Sequence, residues 1–545
     1  MLAGLGTGGF DRLGVGGVPE APLPERTVRA ELVRFCMLGG PDAPRLHEKG
    51  LRLSGAWIIG TLDLEGCKLP GDVGLVDCRF EAPPILRSAE VGTVYLDGSS
   101  LPGIVAERVH ARGSLYLRAV QVEGTILLAG ARIDGEVVLD SAVLSAPGRL
   151  ALDAPDIVTR GDVLLRGARC RGGLSLDGGR IGGSIGATGA ELLQPGAVAL
   201  SADSASFGSD ILLTTARIEG RVVFDGAHIG GDVDLDGGRF AAPGGLAVSF
   251  NRAEIVGAFF MRKGAAVIGV LSLNDATIDT IVDAEASWPA AGDLSLNRCR
   301  YGGFLGAPTD ARRRLAWLGR QDPSRWGEDF WPQPYEQLAE VLTKMGHEED
   351  ARAVMMVKER LQRRARRGRA NQPVVRAVLL ARDGLLLATV GYGRKPLRAV
   401  LWLGVFWAVG VALYAIVAAR HEIRPNGLVQ LRSPEWVLCG VPTDATLRLP
   451  SLDVERAGLA AMGQSQLGCY LQQPEAQSFT TFNPWIFSLD ALLPVLETGQ
   501  RISWSPDTRF ALGHAGKLFE YLQTLAGWAL GVLAVAGFSG IVKSR

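Results

Sequence analysis

From Gly60 to Gly303 the chain repeats one eleven-residue pattern of apolar and polar positions, Gly-x-φ-x-φ-x-x-small-x-φ-x, where φ is an apolar residue. It reads GTLDLEGCKLP from Gly60, GDVGLVDCRFE from Gly71, GTILLAGARID from Gly124, GDVLLRGARCR from Gly161 and GDVDLDGGRFA from Gly231. The φ-x-φ alternation predicts a short strand whose alternate side chains enter a core. Glycine suits the corner before that strand, and the small residue sits where the next corner crowds inward.

A longer period overlies the short one. Gly113, Gly124 and Gly135 return as Gly161, Gly172 and Gly183, then as Ser209, Gly220 and Gly231, each step being 48 residues. Within each step the spacings are 11, 11 and 26, the last holding a degenerate copy such as SAPGRLALDAPDIVTR. Two coils of about 22 to 26 residues per super-repeat follow, the coil size of an all-β, right-handed parallel β-solenoid over residues 51–306. Leu62, Leu64, Val94, Leu96, Ile126, Leu128, Val163, Leu165, Val233, Leu235, Leu294 and Leu296 should fill its strand positions, and Leu69, Phe80, Val122, Ile133, Ile181, Ile229, Phe240 and Ile278 the third apolar position. Cys67, Cys78 and Cys299 fall on the small position and are expected as packing groups.

Open solenoid ends expose strand edges and need caps. Residues 1–24 are expected to be disordered and 25–50 to supply a capping helix, with ERTVRAELVRFCMLGG as its amphipathic part. A Trp-rich stretch with Trp317, Trp326 and Trp331 follows the solenoid. Residues 307–370 read as a helical hairpin around Gly346 that resembles a single tetratricopeptide unit, ending in a basic run.

The apolar pattern then changes scale. Ala399–Ala419 is a 21-residue stretch without a charge, long enough to cross a bilayer core, and Leu522–Val542 is a second. Residues 371–398 are apolar but interrupted by Arg376, Arg382 and Asp383, as in an interfacial helix. Between the spans lies a loop domain, 420–521, and after them a tail, 543–545. The apolar stretch FNPWIFSLDALLPVLETGQRISWSP, with Trp485 and Trp504 at its margins, is expected to lie on the outer leaflet. Gly404, Ala408 and Ala412 in the first span, and Gly527 and Gly531 in the second, form small-xxx-small ridges for helix packing within one chain or between chains.

Lys+Arg and Asp+Glu balance at 57 each over 545 residues, so net charge selects no partner. The distribution does. From Ala351 to Arg398 there are 13 Lys/Arg against only Glu359 and Asp383. Their place beside the first span argues for a cytoplasmic membrane face and anionic lipid rather than nucleic acid. The candidate lipid contacts are Arg363, Arg364, Arg366, Arg367, Arg369, Arg394, Lys395 and Arg398. Basic residues flanking both spans predict cytoplasmic N- and C-termini in a bacterial cytoplasmic membrane, with the loop outside. There, an oxidising exterior could join Cys439 to Cys469.

Several stretches carry a family likeness: GLRLSGAWIIGTLDLEGCKL (Gly50 to Leu69), GYGRKPLRA (Gly391 to Ala399), FNPWIFSLDALLPVLETGQ (Phe482 to Gln500) and the later Gly527-Trp528. The chain resembles bacterial, mostly actinobacterial, membrane proteins with solenoid repeats that are often labelled membrane-associated oxidoreductases. The resemblance implies the architecture and no settled activity. No redox motif accompanies the label: no GxGxxG opens a helix after a strand, and no haem or iron–sulfur spacing is present.

No catalytic, cofactor or metal site is expected. The six His are dispersed, and the seven Cys include no CxxC. An Asp/Asn series one residue after the strand (Asp97, Asp140, Asp177, Asp225, Asp236, Asn274, Asn297) reads as corner residues bonding nearby backbone NH groups. The expected function is a non-enzymatic scaffold or sensor that presents a cytoplasmic surface to a protein partner or a second copy. The alternatives are a membrane effector whose oligomerised spans permeabilise the bilayer, as in bacterial defence proteins, and a polysaccharide-active or redox enzyme.

Overall fold

In a computed structural model of the chain, residues 8–14, 17–39, 43–369, 373–390, 397–449, 454–493 and 495–538 are described. The chain divides into two compact units, Met1–Gln362 and Arg363–Arg545.

The first unit is a parallel β-solenoid of about eleven turns. Successive coils pair in parallel, as where Arg132 aligns with Val158, Val158 with Arg180, and Arg180 with Ser206. Those steps alternate between 26 and 22 residues, the two coil lengths expected. Each apolar position enters one continuous core in which Phe224 and Phe250 stack at 5.1 Å.

The four extra residues of the longer coils form a bulge. Val143–Asp153, Glu191–Ser201 and Arg239–Ser249 are eleven-residue strands whose pairing shifts register around an exposed Pro-Gly or Pro-Gly-Gly tip. The corner glycine is required by backbone approach. A Cβ on the corner Gly124 would lie 2.3 Å from the carbonyl oxygen of Pro102 one coil earlier. A tight left-handed turn recurs at the residue before the small position, with φ +53° at Arg108 and +63° at Gly130.

Both ends are closed, with differences from expectation. Within the stretch expected to be disordered, Asp11–Arg12 pairs in parallel with Leu53–Ser54, giving the first coil's edge a partner. The capping segment is a strand, Thr27–Arg29, paired with Trp57–Ile59, followed by helix α1 (Ala30–Leu38), which buries Ala30, Val33, Cys36 and Met37. At the far end α2 (Ala311–Leu318) buries Trp317 against Tyr301 and Phe304, while Trp326 stays exposed. The helical pair follows as α3 (Gln333–Lys344) and α4 (Glu348–Gly368), with Tyr335, Leu338, Leu342, Ala351 and Val354 buried.

The second unit holds α5 (Pro373–Val390) and α6 (Leu397–Ala419), then the short turns α7 (Leu428–Leu431), α8 (Pro434–Leu438) and α9 (Gln466–Tyr470). After these come α10 (Pro484–Leu492), α11 (Gln500–Ser503) and α12 (Ala511–Phe538). Among the described residues two helices are long and apolar enough to cross a membrane, Leu397–Ala419 and Ala511–Ala536. The second begins well before Leu522, because Glu520 is buried and paired with Lys517 at 2.9 Å and Arg501 at 3.3 Å. Cys439 and Cys469 are joined in a disulfide with Cα atoms 5.6 Å apart. They belong to a small core with Trp436, Leu467, Tyr470 and Trp504.

Candidate functional site

The polar series along the solenoid is built into its coils. Asp97 Oδ1 accepts from the backbone N–H of Arg118 at 2.8 Å, Asp140 Oδ1 from Arg166 at 2.9 Å, and Asp177 Oδ1 from Asp203 at 2.9 Å. Asp225 Oδ1 accepts from Asn251, Asp236 Oδ1 from Arg262 and Asn274 Oδ1 from Asn297 in the same manner. Each side chain thus ties one coil to the next, one step further than the local corner bond expected. A second ladder, at the position after the corner glycine, joins Asp162, Ser184, Asp210 and Asp232 through their backbone N–H groups. Its signal was the recurrent Gly-Asp-Val.

Asp236 is fully buried and also accepts from Arg262 Nη2 at 2.9 Å and pairs with Lys263 Nζ at 3.2 Å. Burial raises its pKa, but the hydrogen bonds from Arg262 and Lys263 outweigh it and hold the carboxyl below its ordinary value. Burial pushes Cys78, Cys170 and Cys299 up to about 12, which suits packing thiols and not nucleophiles. Among the described residues no group of three or more His, Cys, Asp or Glu could hold a metal ion. One aromatic and basic patch stands out on the solenoid. Tyr95 stacks on Tyr116 at 5.2 Å, with Arg52 over the first ring and Arg118 over the second.

The basic run divides in two. Arg363 and Arg367 hold the buried Asp383 of α5, Arg363 at 2.9 Å. Burial raises the Asp383 pKa, and the two guanidinium hydrogen bonds more than reverse it, leaving it lowered. Arg364, Arg366, Arg369 and Arg398 are exposed, while Arg394 and Lys395 lie outside the described residues. The expected lipid-binding face therefore loses two members to an internal ion pair, because the interrupting Asp383 of α5 needed counter-charges.

The second unit is organised around α10, not around the two long helices alone. The segment expected on the outer leaflet packs between α6 and α12 instead. Phe487 packs edge-on against Tyr414 at 4.7 Å, and Ala491 and Leu492 are buried. Ser488 Oγ donates to the Trp407 carbonyl at 2.9 Å, and Gln523 Nε2 donates to Ser488 Oγ at 2.8 Å. Tyr414 donates its hydroxyl to Gln523 Oε1 at 3.1 Å, completing a buried polar triad between three helices. Trp504, expected at the interface, is buried and donates to the Thr480 carbonyl at 2.7 Å.

This insertion decides which small residues matter. A Cβ on Gly527 would lie 1.7 Å from the Leu492 carbonyl oxygen, and one on Gly410 2.3 Å from Ser488 Oγ. A Cβ on Gly404 or Gly531 would meet nothing within 4 Å, and Ala408 and Ala412 are exposed. The predicted Gly404–Ala408–Ala412 ridge is thus not the packing face within the chain. Gly410, which falls outside that spacing, takes its place beside Gly527.

Compared with protein-family models, with curated proteins and with solved structures, the chain matches none.

Proposed function

We propose that this chain is a non-enzymatic, membrane-anchored β-solenoid scaffold or sensor. In this reading α6 and α12 span the bilayer, the basic residues Arg364, Arg366, Arg369 and Arg398 meet anionic headgroups, and the solenoid offers a cytoplasmic surface to a protein partner or a second copy. One observation carries the anchoring. Only 22% and 28% of the most apolar stretches of the two helices are buried within the chain, which leaves residues such as Leu401, Leu525 and Val535 uncovered. A helix of that length and apolarity that is mostly uncovered needs a lipid solvent. The even stacking of the coils, with carboxylates committed to backbone ladders, supports a binding surface over a reaction centre. A second reading, a membrane effector, is favoured by the inserted α10.

The test uses the full chain expressed in a bacterial host. Alkaline carbonate should leave it in the membrane pellet, and protease added to inverted vesicles should remove the solenoid. Release into the supernatant would sink the anchor, and a protease-protected solenoid would reverse the orientation. A photo-crosslinkable aromatic at Tyr116 should then trap a partner or a second copy; no crosslinked species would end the scaffold reading at that face.

A further inference from the structure

The inserted segment is a hairpin that enters and leaves on one side of the long helices. Asn483, at the head of α10, donates its backbone N–H to Gln500 Oε1 at 3.1 Å, so both ends of the segment lie together. They sit beside the strand pair Ile423–Pro425 and Trp504–Pro506, which adjoins the C-terminal end of α6 and the N-terminal end of α12. The contacts of α10 fall further along, with Trp407 near the middle of α6 and with Gln523 and Gly527 near the middle of α12. Leu493 and the residues from Val495 to Gly499 are not helical. Val495 and Leu496 line a groove of about 490 Å³ with Gly527, Gly531 and Val535, in the second half of α12. The chain then returns to Gln500, and Asp490 accepts the Arg501 backbone N–H at 3.0 Å to tie the return to the descent.

Non-helical backbone at this depth has no partner in hydrocarbon. It is tolerated only where protein covers it or water wets it. Here the Leu496 and Thr498 N–H groups turn back onto the Leu493 and Leu496 carbonyls at 2.8 and 3.0 Å, but no protein covers the stretch: Val495 is 81% exposed, and Glu497 and Thr498 are exposed beside it. Glu497 makes no ion pair among the described residues and directly follows Leu496 of that groove, where a carboxylate facing lipid would be costly. The two long helices of one chain cannot enclose a wet path by themselves. We propose that several copies assemble around a water-filled path across the membrane, lined by Val495–Gly499, in which Glu497 of each copy draws small inorganic cations. The proposal rests on the anchored reading above and adds conduction to it. Rings of carboxylates of this sort select for cations in other pores.

The test reconstitutes the full chain in vesicles of neutral lipid, with flotation to show insertion, and records currents under a potassium chloride gradient. Wild type should show a reversal potential favouring K⁺ over Cl⁻. Glu497→Lys should lower that permeability ratio at least about tenfold, since one charge changes sign in every copy. Glu497→Cys, in the same vesicles, should be blocked by a charged, water-soluble methanethiosulfonate. Protein that floats with vesicles yet leaves them tight overturns the path while sparing the anchor. Protein that does not float overturns both. Currents whose selectivity is the same in Glu497→Lys, and which the reagent does not touch in Glu497→Cys, place the path elsewhere and overturn the assignment.

Discussion

Single residues close the solenoid more than its length does. Arg314 is fully buried, yet it sits 3.6 Å from the centroid of Phe304 and gives both terminal nitrogens to Asp283, at 2.7 and 2.8 Å. Asp283 also accepts from Trp288 Nε1 at 2.7 Å, so the next-to-last coil, the turn after it and α2 meet at one carboxylate. Removing one partner strands a buried charge, so Asp283→Ala should cost about 3–5 kcal/mol. Asp283→Leu combined with Arg314→Met should cost clearly less, as seen by denaturant unfolding of the solenoid signal in detergent. Equal losses from the single and double variants would show that the pair matters only through packing. Asp236 gives a second residue-scale expectation. Its folded pKa is lowered, so its contribution is present above the unfolded value of about 4 and fades as pH falls through the folded one. Melting temperature should therefore drop between neutral pH and pH about 3 more steeply in wild type than in Asp236→Asn. Parallel profiles would remove Asp236 from the account.

At the scale of elements, α10 sets the spacing of the long helices. Gly527→Ala should drive a methyl into the Leu492 carbonyl and unseat α10, whereas Gly404→Ala, which meets open space, should be silent. Expected losses are about 1–3 kcal/mol for the first and within about 0.5 kcal/mol for the second, read by thermal unfolding in detergent. A silent Gly527→Ala would mean that the end of α10 is not held against α12. The same element shows what the sequence could disclose. The solenoid was legible because its period of eleven and super-period of 48 are local and repeated, so every copy restates the register. The bulges were legible as an interval of 26 but not as a shape, since that depends on how each strand pairs with the neighbouring coils. The depth of α10 was not legible. FNPWIFSLDALLPVLE is as apolar as a helix on a membrane surface, and only the tertiary partners Trp407, Gln523 and Gly527 distinguish insertion from surface contact. Position 410 escaped notice for the same reason. The small-residue ridge was read along one helix, while the close approach is set by a third.

For the whole molecule, the cysteines offer a test of the sides of the membrane that the proposed anchoring gives the two units. Cys36, Cys67, Cys78, Cys170 and Cys299 are free in the first unit, and Cys439 and Cys469 are paired in the second. A solenoid that keeps five thiols and a subdomain with a disulfide fit two redox compartments, which the anchored reading places on opposite faces of one bilayer. The bond closes a 30-residue separation, which the chain-entropy account values at roughly 3–4 kcal/mol, enough to matter for a subdomain with so small a core. Denaturing the membrane-extracted chain in a large maleimide-polymer reagent should therefore add five mass shifts without reductant and seven with it. Seven without reductant would place the Cys439–Cys469 subdomain in a reducing compartment, and the proposed topology would have to be inverted. Native membranes sharpen the same measurement. Burial holds Cys78, Cys170 and Cys299 at about 12, so at pH about 7 the half-exposed Cys67 should dominate labelling. That reaction should proceed when a membrane-impermeant reagent reaches the solenoid side of inverted vesicles, and fail when it is confined to the opposite face.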